Sequence, residues 1–226
     1  MKYEIIGNIV PGVECTLNTG ESMYTQSGGM IWQSDGIEMT TNTKGGGLKS
    51  LGRLLAGESI FMANYTSKVD GATIAFGSTV SGKIVPVNVS QTEMICQKGA
   101  FLCAENGVKL EITFTKRLGA GLFGGEGFVL QKITGNGMAF LEADGDVVEK
   151  VLAPGESIKV DTGNVVAFET SVKYDIETVK GLKNVLLGGE GLFLTRLTGP
   201  GRIILQTQNF NDFINKIIAV LPKNNS

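Results

Sequence analysis

Apolar and polar residues alternate along much of this chain. Residues Val108 to Thr115 read Val-Lys-Leu-Glu-Ile-Thr-Phe-Thr. From Phe168 to Thr178, Phe168, Thr170, Val172, Tyr174, Ile176 and Thr178 fall on one side, with Glu169, Ser171, Lys173, Asp175 and Glu177 on the other. A period of two marks a half-buried strand, so one strand is expected over each stretch. The pairs Asp35-Gly36, Asp70-Gly71, Asn106-Gly107, Asn136-Gly137 and Asp144-Gly145 punctuate the pattern. They tolerate positive φ and are expected as hairpin turns. Many short strands with glycine turns indicate an all-β sandwich, barrel or β-helical roll. Trp32, Phe101, Phe140, Phe168 and Phe193 are expected in its core.

Near the C-terminus the period changes. Phe210, Phe213, Ile214, Ile217, Ile218 and Leu221 share one face of a helix, Asn209 or Asn211 can cap its start, and Pro222 ends it. A helix over 210–222 is expected, docked across an open end of the β-structure; exchange between subunits is the alternative.

The chain also repeats itself. The run Gly124-Gly125-Glu126-Gly127-Phe128 through Leu141 returns without a gap as Gly188-Gly189-Glu190-Gly191-Leu192 through Leu205. A weaker copy begins at Gly57-Glu58-Ser59-Ile60-Phe61 and resumes at Gly71. Internal repetition dictates architecture, here three β-repeats over 1–79, 80–145 and 146–209 in a pseudo-threefold arrangement, followed by the helix. Each repeat is small for a self-sufficient fold, so the repeats are expected to share cores and pack as one compact unit. Gly20-Glu21 and Gly155-Glu156 open a second kind of turn in the outer repeats, with Ser90-Gln91 in the same slot of the middle one.

Composition narrows the chemistry. The 226 residues include no histidine, which removes Ser-His-Asp and Cys-His mechanisms and the common zinc sites. With 20 basic and 22 acidic residues there is no electrostatic reason to expect nucleic-acid binding. Cys15, Cys96 and Cys103 form no Cys-x-x-Cys pair and read as buried, reduced thiols. The start of the chain has no long apolar run and no segment is long enough to span a bilayer, so a cytoplasmic location is expected. No cofactor or metal is expected.

A glycine-, leucine- and lysine-rich connector precedes the second Gly-Glu of each repeat. Leu48, Lys49, Leu51 and Arg53 mark the first, Lys116 and Arg117 the second, Lys180 and Lys183 the third. Gly45 to Ser50 lacks the Gly-Lys pair of a phosphate-binding loop. The connectors therefore read as sealing segments, or as a contact surface for a protein partner, a second subunit or a membrane. Gly57-Glu58, Gly125-Glu126 and Gly189-Glu190 recur in every repeat, which favours a turn role over acid–base catalysis: such a carboxylate accepts hydrogen bonds from nearby backbone N–H groups.

The triple repeat, the connector-Gly-Glu-(Gly/Ser)-aromatic pattern and the closing Asn209-Phe210 to Leu221-Pro222 helix together resemble the altered-inheritance-of-mitochondria family. Leu55-Ala56-Gly57-Glu58-Ser59-Ile60-Phe61 and Gly188-Gly189-Glu190-Gly191-Leu192-Phe193 are its most specific pieces. The resemblance implies short double-stranded β-helix repeats like those of the tryptophan-responsive RNA-binding attenuation protein, set around a ring in a homotrimer. It carries over no catalytic residue, because the family has no established activity, and the lysines and arginines that grip RNA have no counterpart here. Mitochondrial relatives are linked to inner-membrane organisation. A non-enzymatic, ring-forming assembly protein is the leading expectation, and a small-ligand- or RNA-binding regulator, by analogy of fold, the second.

Overall fold

The computed structural model describes residues 1–26, 28–42, 62–116, 128–178 and 193–221. Its regular structure is nearly all β, as expected. Strand β1 (Lys2–Ile6) precedes three sets of six strands. The first set is β2 (Gly12–Leu17), β3 (Ser22–Thr25), β4 (Met30–Gln33), β5 (Ile37–Asn42), β6 (Met62–Ser67) and β7 (Ala72–Gly77). The second is β8 (Gly82–Asn88), β9 (Met94–Gln97), β10 (Phe101–Glu105), β11 (Val108–Lys116), β12 (Phe128–Gly135) and β13 (Met138–Asp144). The third is β14 (Val147–Leu152), β15 (Ser157–Asp161), β16 (Val165–Glu169), β17 (Lys173–Thr178), β18 (Phe193–Thr198) and β19 (Gly201–Gln206), and helix α1 (Phe210–Val220) follows.

One pairing scheme serves all three sets. The first and third strands of a set flank its sixth, and the second and fourth flank its fifth, always antiparallel. The third strand of each set bulges against its partner, after Met30, Phe101 and Val165, which bends it in the same place each time. One further pairing stitches neighbouring sets: β3 to β10 and β9 to β16. The resulting sheets run β1-β2-β7-β4, β5-β6-β3-β10-β13-β8, β11-β12-β9-β16-β19-β14 and β15-β18-β17.

The cores follow the stitching. Val13, Leu17, Met23, Ile74 and Phe76 of the first set pack with Leu102, Cys103 and Phe140 of the second. Met94, Ile133 and Leu141 of the second pack with Val166, Ala167 and Ile204 of the third. Across the first joint the Tyr24 hydroxyl donates to the Val108 carbonyl at 3.1 Å, and the Thr25 hydroxyl to the Leu102 carbonyl at 2.6 Å. Among the described residues, each core cluster draws on more than one set.

Three expectations are corrected. The Asp/Asn-Gly pairs do not close hairpins: Asp35-Gly36, Asp70-Gly71, Asn106-Gly107, Asn136-Gly137 and Asp144-Gly145 each carry the chain from one sheet into another. The glycines still have their use at these corners, with Gly36 at φ 86° and Gly145 at φ 70°. The consecutive strands that do pair are β1 with β2, β5 with β6, β11 with β12 and β17 with β18, and none of these Asp/Asn-Gly pairs lies between them. Residues 168–178 are two strands rather than one, because the Val172 N–H turns back to the Glu169 carbonyl at 3.0 Å. Thr170 and Ser171 are exposed and Val172 is buried again, so the alternation breaks at the turn and resumes after it. Trp32 is not in the core but 47% exposed, and Phe193 is only half-buried.

Candidate functional site

The connector residues Leu48, Lys49, Leu51, Arg53, Arg117, Lys180 and Lys183, and the pairs Gly57-Glu58, Gly125-Glu126 and Gly189-Glu190, lie outside the described residues. Lys116 ends β11 opposite Phe128. Glu21 and Glu156, in the other Gly-Glu turns, bind backbone as the turn role requires. Glu21 Oε2 accepts the Asn18 N–H at 2.7 Å and Glu156 Oε2 the Ala153 N–H at 2.8 Å. Glu21 also takes the Met1 ammonium at 2.7 Å. The Asn18 N–H and that ammonium hold its carboxyl below the usual range.

A second recurring acceptor escaped the sequence reading. At or just past the end of the third strand of each set, a side chain accepts an N–H from one of the first two residues of the sixth strand. Ser34 Oγ accepts from Thr73 at 2.9 Å, Glu105 Oε2 from Met138 at 2.6 Å, and Glu169 Oε2 from Arg202 at 3.1 Å. Serine stands for glutamate in the first set, which hides the equivalence.

The cysteines are buried and unbridged. Burial pushes the thiols of Cys15 and Cys96 up to about 12 and that of Cys103 well above its ordinary value, an environment that suppresses thiolate chemistry. Among the described residues, no cluster of three or more Cys, Asp or Glu is placed to hold a metal, and no helix is long and apolar enough to cross a membrane.

The two ends of the strand series differ from its middle. The joints β3·β10 and β9·β16 each use the second strand of one set and the third strand of the next. That leaves β4, the third strand of the first set, at the edge of a four-stranded sheet, and β15, the second strand of the last set, at the edge of a three-stranded one. Ile31 and Trp32 on β4 are 49% and 47% exposed. Their counterparts by pairing are Leu102 and Cys103 on β10 and Val166 and Ala167 on β16, all at 3% or less. On β15 Lys159 is exposed, where Tyr24 and Ile95 are buried at the same place in the internal joints. A recess of about 330 Å³ beside β4 is lined by Ile6, Val10, Pro11, Ile31 and Trp32, among others.

Helix α1 starts where expected, with the Asn209 carbonyl accepting the Phe213 N–H and Asp144 Oδ2 accepting the Phe210 N–H at 3.2 Å. Its apolar face is not docked as expected: Phe210, Phe213, Ile217, Ile218 and Leu221 are exposed. In the sheet β5-β6-β3-β10-β13-β8, the strand ends Asn42 and Met62 lie at the same end as Asp144. The strand ends Asn42 and Met62 and the residue that caps α1 therefore share one end of that sheet.

The chain matches the model of a family described as mitochondrial biogenesis AIM24 over residues 3–208. A Streptococcus pyogenes serotype M6 protein, described as uncharacterized, is 30% identical over 220 residues, covering 94% of this chain and 87% of that one. The crystal structure of another Streptococcus pyogenes protein shares the fold with a TM-score of 0.79 at 24% identity, over 97% of this chain and 99% of its own. On this agreement along nearly its whole length, the chain belongs to the mitochondrial biogenesis AIM24 family.

Proposed function

We propose that this chain is a non-enzymatic assembly protein whose three sets act as β-repeats and whose copies join head to tail into a closed ring, as a homotrimer. The observation that carries this reading is the directionality of the joint. Each set offers its second strand forward and its third strand backward, so a chain of any number of sets ends with one half of a joint at each end. Heterologous joints of this kind close into rings when the rotation permits and otherwise grow into filaments. The exposed Ile31 and Trp32 at one end agree with a face that another copy covers. The turn-bound carboxylates and buried thiols described above are consistent with a structural role.

The end of the β-structure bearing α1 and connector 43–61 is the surface we assign to a protein partner or a membrane, with Leu48, Lys49, Leu51 and Arg53 as contacts. Reversing charge at Lys49 and Arg53 with glutamate is expected to abolish association with liposomes or partner while leaving the melting temperature unchanged.

Absolute mass by light scattering behind size exclusion tests the assembly itself. A species of three chains of 23.9 kDa is expected, and a monomer at every concentration up to the high micromolar range overturns the reading.

A further inference from the structure

Resting on the head-to-tail reading, we infer that the seam between copies is a continuous β-ladder, β4 of one copy pairing antiparallel with β15 of the next in the register Trp32↔Val160, Gln33↔Lys159 and Ser34↔Ile158. The partner surface is therefore a second copy of this chain, and its two sides are the ends of the strand series.

The register follows from the two joints inside the chain. In β9·β16, Ala167 faces Cys96, Phe168 faces Ile95 and Glu169 faces Met94. In β3·β10, Ala104 faces Tyr24 and Glu105 faces Met23. Both joints thus place the acceptor glutamate of the third strand, Glu169 or Glu105, opposite a methionine of the second. On β4 the residue in the acceptor position is Ser34, which takes the Thr73 N–H as Glu105 takes that of Met138. Trp32 and Gln33 face Ala75 and Ile74 of β7 just as Ala167 and Phe168 face Ile204 and Ile203 of β19. On β15, Ile158 faces Leu197 of β18 just as Met94 faces Ile133 of β12. Ile158 is therefore the counterpart of Met94, and Lys159 and Val160 follow.

The two leftover sheets fit one another in kind as well as in register. A complete internal sheet contains the fourth, fifth and second strands of one set and the third, sixth and first of the next. The sheet β15-β18-β17 supplies the former half and β4, β7 and β2 the latter, so the seam rebuilds the six-stranded sheet that occurs twice within the chain. Strand β1 lies beyond it, on the outer side of β2. Exposed edge strands carry unpaired backbone groups that invite such addition, and here the apolar Ile31 and Trp32 lie on that edge. Ile31 takes the position of Leu102, whose carbonyl accepts the Thr25 hydroxyl across the first joint. It then meets Val160 and the turn 162–164 of the second copy.

Paired cysteines test the register. Adjacent positions in an antiparallel ladder alternate between wide and close pairs, so Trp32→Cys with Val160→Cys, and Gln33→Cys with Lys159→Cys, are made as two separate double variants. The native thiols are buried and stay out of the reaction. On oxidation, at least one double variant is expected to form covalent multimers on a non-reducing gel, with a ladder ending at the size of the ring, while each single variant stays at chain mass. Trp32→Lys is the second arm. Trp32 donates only an exposed hydrogen bond to Glu14, and a lysine there keeps an attraction to that carboxylate while setting a charge opposite Val160 and beside Lys159. It is expected to raise the concentration needed for assembly at least tenfold with the fold's circular dichroism unchanged. If the parent protein is multimeric by mass yet neither pair cross-links, or Trp32→Lys assembles normally, the seam is overturned and self-assembly stands. A monomeric parent overturns both.

Discussion

The indole N–H of Trp32 donates to Glu14 Oε2 at 3.0 Å, fixing a half-exposed tryptophan against the outer surface of the sheet β1-β2-β7-β4. The hydrogen bond holds a large apolar ring at a sheet edge, where an unconstrained side chain would sample many rotamers and lose that freedom on association.

Trp32 is the one tryptophan of the chain and so reports on its own surroundings. Its emission is expected to shift to the blue as protein concentration rises through the assembly range and to return on dilution. An emission maximum independent of concentration, in a protein whose mass does change, would place Trp32 outside the contact.

Gln131, fully buried on β12, has no hydrogen-bond partner for its amide nitrogen or its carbonyl oxygen among the described residues. An unsatisfied buried polar group costs about 1–3 kcal/mol, and an apolar group of similar shape relieves that cost. Gln131→Met is expected to raise unfolding stability by about 1–2 kcal/mol, read as a higher urea midpoint at unchanged slope.

The acceptors Glu105 and Glu169 hold N–H groups in the first two residues of β13 and β19. Alanine at either position is expected to cost about 1–2 kcal/mol by orphaning that donor, while glutamine keeps an acceptor and costs less. Equal losses from alanine and glutamine would argue that the charge rather than the acceptor matters.

Phe140 is fully buried and meets Tyr3 edge-on at a ring separation of 4.9 Å. It belongs to the second set yet packs in the core of the first. Phe140→Ala is expected to cost about 3–5 kcal/mol and to loosen both sets in one cooperative transition. Two separated transitions in calorimetry would contradict the shared core.

Burial raises the Glu142 carboxyl above its ordinary 4.5, with the Ser78 hydroxyl pulling the other way. A raised folded-state value means that the folded protein takes up the proton first as pH falls. The penalty of a buried charge is thus present at neutral pH and relieved as pH drops through the folded value. Glu142→Gln is expected to melt higher than the parent at neutral pH, with the gap closing once pH falls below 4.5. A gap independent of pH would assign the effect to packing.

The all-β class was legible because alternation is a property of order along the chain. The strand Val108–Lys116 and the start of the helix at Phe210 fall where period and capping put them. The use of the Asp/Asn-Gly pairs was not legible, since a turn that closes a hairpin and one that crosses between sheets need the same residues at the same φ. Trp32 was misplaced for a related reason: an aromatic on a strand reads as core whether the neighbour covering it belongs to the same chain or is missing from it. The edge character of β4 and β15 could not be read before the pairings were known, because their alternation resembles that of β10 and β9.

The corner turns have a consequence for synthesis. Strand β3, complete at Thr25, has β6 and β10 as its two neighbours, so it stays unpaired on both sides until residues near Met62 emerge and on one side until Glu105 does. Strand β2 pairs with β1 on one side, but its other side must await β7. A growing chain therefore carries bare strand edges through much of its translation, and pairings so distant in sequence form slowly. The nascent first half of this protein is therefore open to mispairing for longer than a chain of simple hairpins would be.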